Sequence, residues 1–511
     1  MKIQIAQMNP KTLDFSENFK QINTIIRGTN ADVLNVFAEL SVSGSPLYDT
    51  AAYNEITTQA SVMAEQLCGE KKSFIIGIPI KNGGEILNAL LFVENGEVID
   101  VATKKNLNSF DRVFAKGNGF EITQFEGETV AFGFEEDFDE FVAKGENVDV
   151  VICVANNIFE INRQKKTVEK FIPLVRRVKS RFIYVNRCGA EGSYIYNGGS
   201  FALNERGDIC EQLPLFETCV KTIETSRLKL LTQNAMSKME TMYNAIIWGI
   251  SDYFLKNRIK KAVIGLSGGI DSALVATLAV NALGKDNVIG VLMPSEYSTD
   301  HSVADAEDLA NNLQIKHYII PIKPLYNTTL QSLDAVFAGT PRGLAEENIQ
   351  ARLRCMVLMG IANKTGAALL NTSNKSEAAV GYGTLYGDTS GGIGAIGDVY
   401  KTDVWELAKW INRNGVIIPE NSISKAPSAE LSYGQKDSDS IPEYFILDKI
   451  LNLYIEERQD KEQIISAGFS TETVEKVLHL IKINEWKRHQ CCPCLKISSC
   501  TFGIDRLMPV S

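Results

Sequence analysis

A chain of 511 residues, 45% hydrophobic and 22% charged, has room for two to four domains with large cores and an ordinary soluble composition. A net charge of −10 with no Lys/Arg run excludes a protein built to grip nucleic-acid backbones. No apolar run nears the ~20 residues a membrane-spanning helix needs, and the opening MKIQIAQMN alternates like a strand, without a signal-peptide core. The ten cysteines lie mostly in apolar runs and fit reduced thiols, so a cytoplasmic location is expected.

The first half alternates strands and helices. KIQIAQM, VLNVFAEL, SFIIGIPI, TVAFGF and VDVVICVA predict strands, and 18–29, 53–68 and 167–181 predict helices. Turn residues at 94–96 (ENG) and 204–207 (NERG) predict hairpins. Mixed strand pairing with helices outside implies an α/β layered sandwich over residues 1–225.

Three segments here resemble the carbon–nitrogen hydrolase (nitrilase) family in its glutamine-amidase form: VFAELSVSGSP, TKKNL and YVNRCGAEGSYIYNGGSFAL. The resemblance implies an αββα sandwich, a general-base role for Glu39 and an oxyanion-stabilising role for Lys104. The family's third element departs: where its nucleophilic cysteine precedes Glu-Asp, VAFGFEEDF places Glu135. Thioester chemistry needs a polarisable thiolate, whereas a carboxylate is a weak nucleophile whose acyl product would be an anhydride. Glu135 is expected to add a negative group beside Glu39, leaving Lys104 as an ion-pair partner. Cys153 and Cys188 are the remaining thiols, each in an apolar run where packing is the plainer role. An amidase fold without amidase activity is therefore expected.

Residues 226–242, polar and helix-prone, predict a helical connector into a second domain over 243–511. There AVIGL, NVIGVLM, HYIIPI and AALLN predict strands, alternating with helices over 271–283, 302–313 and 348–364. This pattern implies a doubly wound parallel sheet, with ligands beyond the strands' carboxyl ends. The central stretch is KKAVIGLSGGIDSALVATLAVNALG: a buried strand, a Gly-Gly turn and a helix, with Gly284 as an expected αL terminator. Free N–H groups and the positive helix end face one small volume, and Gly268 and Gly269 let an oxyanion approach the backbone. The Walker Gly-Lys-Ser/Thr ending is absent.

SGGxDS resembles the pyrophosphatase loop of enzymes that split ATP between its α and β phosphates, placing ATP on Gly265, Leu266, Ser267, Gly268, Gly269, Ile270, Asp271 and Ser272. With NTSNKSE (371–377), GYGTLYGD (381–388), DVYKT (398–402) and KAPSAEL (425–431), the region from about 240 onward resembles NAD synthetase. The order of the two domains resembles the glutamine-dependent form. The resemblance implies adenylation of the nicotinate carboxylate of deamido-NAD, then displacement of AMP by ammonia. It assigns Thr372 to ATP, Asp271 and Glu377 to magnesium, and Asn348, Glu377 and Lys487 to deamido-NAD. Lys401 is a phosphate or leaving-group partner. Plainer roles stand beside these: Asp271 as a helix cap, Lys487 as part of a solvated KRH run. Arg352 and Arg354, two apart, face different sides of their helix. A non-catalytic nucleotide-binding protein is the contrasting reading, which the intact motifs disfavour.

Tyr400 stands where the family has proline, a change expected to be absorbed as turn chemistry. The tail HQCCPCLKISSCTFGIDR holds Cys491, Cys492, Cys494 and Cys500, whose spacing raises a structural zinc or oxidation sensitivity without supplying a second ligand pair. The expected partners are small molecules and further copies of the chain, a dimeric synthetase core or larger.

Overall fold

Each apolar run predicted in the first half becomes a strand, because branched side chains fill both faces of sheets that are covered on both sides. The computed structural model describes residues 1–231 and 236–510. Contacts divide the chain into two units, Met1–Met236 and Ser237–Ser511.

In the first unit β1 (Lys2–Gln7), α1 (Phe15–Arg27), β2 (Val33–Phe37), α2 (Asn54–Cys68), β3 (Ser73–Asn82), β4 (Glu85–Glu94) and β5 (Glu97–Thr103) come first. β6 (Glu121–Phe125), β7 (Glu128–Phe134), α3 (Phe138–Lys144), β8 (Val150–Ala155), α4 (Arg163–Val178) and β9 (Arg181–Asn186) follow. The unit closes with β10 (Cys188–Glu191), β11 (Tyr194–Asn197), β12 (Phe201–Leu203), β13 (Ile209–Gln212) and β14 (Cys219–Glu224).

Two six-stranded sheets result, ordered β14-β1-β2-β3-β4-β5 and β13-β12-β9-β8-β7-β6. Ile5, Val36 and Phe92 of the first pack against Phe132, Ile152 and Val185 of the second. α1 and α2 cover the first sheet's outer face, and α3 and α4 cover the second's. This is the αββα sandwich. The 94–96 hairpin forms with Asn95 at φ 49° and Gly96 at φ 87°, a turn whose twist suits paired strands. α1 starts earlier than the apolar period suggested, because Asp14 caps it by accepting from the Glu17 amide at 3.3 Å. α4 is likewise shifted, ending where Lys179 turns left-handed at φ 56°.

The connector departs from its prediction. Thr225–Arg227 is one 3-10 turn, residues 228–231 are irregular, and 232–235 lie outside the described residues. Helix resumes at α5 (Lys238–Lys256), capped by Ser237.

The second unit then alternates β15 (Lys261–Gly265), α6 (Ile270–Leu283), β16 (Val288–Leu292), α7 (Asp300–Asn312), β17 (Lys316–Ile319), α8 (Lys323–Phe337), α9 (Leu344–Thr365), β18 (Ala367–Asn371), α10 (Lys375–Val380) and β19 (Ile393–Gly394). It ends in helices: α11 (Lys401–Ile411), α12 (Glu420–Ser424), α13 (Tyr444–Leu451), α14 (Lys461–Ser466), α15 (Thr471–Ile483) and α16 (Glu485–Arg488). The sheet is parallel, ordered β17-β16-β15-β18-β19. Its order reverses between β15 and β18, where a doubly wound sheet opens its ligand crevice. Gly284 ends α6 at φ 82°, ψ 148°: a glycine-favouring conformation, but not the αL cap expected. Among the described residues no helix is long and apolar enough to cross a membrane.

Phe171 of α4 stacks among Phe138, Phe182 and Tyr184. Its truncation to Ala should cost about 3–5 kcal/mol, read as a lowered denaturation midpoint by circular dichroism.

Candidate active site

β15 delivers the chain to the crevice at Gly265, and the next residues turn into α6. Gly268 sits at φ 79°, and a Cβ there would lie 2.2 Å from the Ser302 carbonyl oxygen. Neither its conformation nor its space admits a side chain. Hydroxyls hold the turn: Ser272 Oγ accepts from the Ser267 amide at 3.2 Å and donates to the Gly269 carbonyl at 3.1 Å. Ser422 Oγ donates to the Gly268 carbonyl at 3.0 Å. The first amides of α6 thus face a cavity of about 290 Å³ that reaches Thr372 beyond β18. A rigid turn, open amides and a positive helix end suit an anionic phosphate.

Three charged side chains meet at the cavity wall. Lys401, buried at the start of α11, pairs with Asp271 and lies 3.5 Å from Glu377 Oε1. Asn374 Nδ2 donates to Asp271 Oδ1 at 3.0 Å. Asn374 and Glu377 also cap α10 reciprocally, which fixes the glutamate's direction. Burial, and after it Asp271, push the Glu377 carboxyl up to about 8 against the opposing charge of Lys401. Lys401 stays charged: burial works against it, but Asp271 and Glu377 hold it above the ordinary lysine value.

Other cavity residues had no assigned role. Lys425 Nζ pairs with Glu430 Oε1 at 2.5 Å, and Ser302 Oγ donates to the same oxygen at 2.7 Å. Arg354 also lines the cavity, its Nε donating to the Met293 carbonyl at 3.2 Å, while Arg352 is exposed. KAPSAEL marked the first group; no spacing distinguished Arg354. Asn348 and Lys487 sit elsewhere. Asn348 Oδ1 accepts from Thr384 Oγ1 at 2.7 Å, and Lys487 Nζ donates to the carbonyls of Gly381 at 2.9 Å and Gly383 at 3.2 Å. Both brace the 381–384 loop, and neither is among the residues lining the cavity.

Tyr400 takes φ −65°, ψ 149° before α11, the backbone a proline there would adopt. The cysteine tail does not gather: Cys494 bridges to Gly394, Cys491 Sγ lies on the Lys487 carbonyl, and Cys500 packs with the helices around Leu447. Among the described residues no three His, Cys, Asp or Glu side chains are placed to hold a metal ion.

In the first unit Glu39 leaves β2, Lys104 leaves β5 and Glu135 leaves β7. Glu39 is 2% exposed and Lys104 1%. The ammonium lies 3.0 Å from Glu39, 3.1 Å from Asp111 and 2.8 Å from Glu136. Asn88 Nδ2 also donates to Glu39 Oε1 at 2.6 Å. Burial, opposed by Lys104 and reinforced by Glu136 and Asp111, pushes Glu39 up to about 8. The expectation for Glu135 is corrected. It turns from this cluster, its carboxylate accepting from Tyr184 Oη at 2.7 Å and Asn157 Nδ2 at 2.9 Å, with Lys170 at 3.7 Å. The acidic neighbours of Lys104 are Asp111 and Glu136 instead. Cys153 is enclosed with Phe138, Phe171 and Tyr184, and burial pushes its thiol well up. Cys188 has its thiol 3.5 Å from the Met8 carbonyl.

A family model described as NAD synthase matches residues 242–491. A glutamine-dependent NAD(+) synthetase from Synechocystis is 36% identical, over 100% of this chain and 98% of its own length; one from Thermotoga maritima is 35% identical with the same coverage. The chain belongs to the glutamine-dependent NAD(+) synthetase family. The structure of the Acinetobacter baumannii family member in complex with ADP superposes with TM-score 0.80 at 31% identity, covering 100% of this chain and 98% of the other. That of Cytophaga hutchinsonii gives 0.86 at 20% identity, over 100% and 97%, and supports the fold alone. Membership makes the second unit's chemistry that of an NAD synthetase, a ligase.

Gly268→Ala should lower ligase activity at least about a hundredfold by displacing the turn, measured as pyrophosphate release. Between about 4.5 and 8 the folded Glu39 carboxyl keeps a proton that the unfolded one has lost, so its contribution to stability falls as pH rises. Glu39→Gln has no such titration, so its melting temperature should gain on the parent's from pH 5 to 8.

Proposed function

We propose that the protein makes NAD from deamido-NAD and ATP, using free ammonia. The nicotinate carboxylate attacks the α-phosphorus of ATP, breaking its bond to the bridging oxygen and releasing pyrophosphate. Ammonia then adds to the acyl carbon; the bond to the adenylate oxygen breaks, AMP leaves and the nitrogen sheds a proton. A carboxylate resists ammonia until its oxygen becomes a leaving group, so both steps belong in one crevice.

The observation carrying this reading is the meeting of Asp271, Glu377 and Lys401 beside the Gly265–Ser272 loop, which receives the phosphates in the proposal. Lys401 steadies the negative charge that moves to pyrophosphate. Thr372 contacts ATP, and Asn348, Glu377 and Lys487 serve deamido-NAD, two of them by shaping the 381–384 loop. Two carboxylates at a phosphate site are a donor set magnesium accepts, the remaining ligands being water and phosphate oxygens. Asp271 and Glu377 would hold the ion, which when bound neutralises triphosphate charge.

Free ammonia is preferred because of Glu135. Its carboxylate has its own partners in Tyr184 and Asn157, and Lys104 is committed to three carboxylates. Glu39 and Lys104 are then a vestigial pair in an inactive glutaminase. A second reading, in which glutamine supplies the nitrogen, is favoured by the names of the relatives and by the surviving Glu39–Lys104 contact. The proposal also includes magnesium dependence, a cytoplasmic location and a homo-oligomer, the last to be read by sedimentation.

With amide-¹⁵N glutamine as sole nitrogen source, unlabelled NAD synthesis should stay at background and no glutamate should form. With ¹⁵N-ammonium, label should enter NAD. Labelled NAD from glutamine alone would establish the second reading.

A further inference from the structure

Behind the cavity wall lies a second buried lysine to which the chemistry gives no part. Lys375 is the first residue of α10, two before Glu377, and is 0% exposed. Its ammonium meets Ser498 Oγ at 2.6 Å, Glu456 Oε1 at 3.0 Å, the Cys500 carbonyl at 3.0 Å and Asp398 Oδ1 at 3.1 Å. Asp398 in turn accepts from the amides of Ile497 at 2.8 Å and Ser498 at 2.7 Å, and from the hydroxyls of Ser498 at 2.8 Å and Thr501 at 2.7 Å. The tail segment 497–501 therefore supplies six hydrogen bonds to one lysine–aspartate pair: two acceptors for Lys375 and four donors to Asp398.

The same pair joins the two helix starts that carry the reactive groups. Asp398 is three residues before Lys401, and the Lys375 amide donates to the Val399 carbonyl at 2.9 Å. Ser376 Oγ accepts from the Lys401 amide at 2.9 Å and donates to Asp448 Oδ1 at 2.5 Å. Asp448 Oδ2 accepts from the Thr402 amide at 2.8 Å. Glu377 and Lys401 thus reach the cavity from helices whose starts are fastened to each other and to the tail.

We propose that residues 497–501 form a clasp on Lys375 and Asp398, which act as positioning residues for Glu377 and Lys401. This rests on the adenylating reading above. A lysine left buried without its partners, or an aspartate without its donors, would bear a large cost, so the helix starts keep their places only while the tail is seated. A displacement of about 1 Å at reacting groups is enough to cost up to a hundredfold in rate.

The test uses the full chain with Ser498→Ala and Thr501→Val combined, which deletes two hydroxyls without touching the cavity. Amide exchange over 375–380 and 401–404 should quicken about tenfold. The kcat for NAD formation with saturating ammonium should fall about tenfold with the KM for ATP within twofold. The single Ser498→Ala gives the same readouts if the pair fails to fold. Unchanged exchange, or unchanged kcat in a folded variant, would overturn the clasp. So would an equal loss of kcat in Val477→Ala, a core change matched for melting temperature. A parent chain making no NAD would refute the proposed function, while exchange at α10 would still decide the clasp.

Discussion

A buried ammonium surrounded by more carboxylate than it can neutralise is the constraint on which each centre rests. Lys104 faces Glu39, Asp111 and Glu136; Lys401 faces Asp271 and Glu377; Lys375 faces Asp398 and Glu456. Removing charges from water costs several kcal/mol per ion, recovered only when geometry and hydrogen bonding are complete. These lysines fix their neighbours because a partial arrangement is worse than none. They also explain why Glu39 and Glu377 share one direction of shift: burial disfavours their charge, and a single lysine divided among several acids does not restore it.

Much of the fold was legible in the sequence, and the reasons are particular. β1, β2, β7 and β8 are short branched runs buried on two sides, and the Gly-Gly turn after β15 carried its strand and helix with it. α8 was missed because it has almost no buried face: Tyr326 is its one buried residue, so no apolar period marks it. The connector misled for a different reason: helix propensity over 228–231 was not enough by itself to make a helix there.

Site residues divided along the same line. Asp271, Glu377 and Lys401 stood in quoted motifs, and the sheet's reversal brings their loops together. Asp111 and Lys375 were invisible because their roles depend on contacts distant in sequence. Asp111 lies in the loop after β5 and outside every quoted motif, yet it binds Lys104. Lys375 lies inside NKSE, yet its partners are at 398, 456 and 498–500. Local pattern reports which segments form elements; it carries little about which buried charge a side chain will meet.

A carboxylate placed at a thiol's position behind a β-strand, as Glu135 is, needs donors of its own, and burial pushes it above its ordinary range even with Tyr184 beside it. Tyr184 Oη, Asn157 Nδ2 and the nearby Lys170 meet that need on the α4 side. Asn157 is itself held by Arg163, which donates to its Oδ1 at 2.9 Å. Restoring a thiol would leave these donors facing sulfur, a weak acceptor. The glutamate is therefore one member of a hydrogen-bonded set that joins β7, β9 and the start of α4.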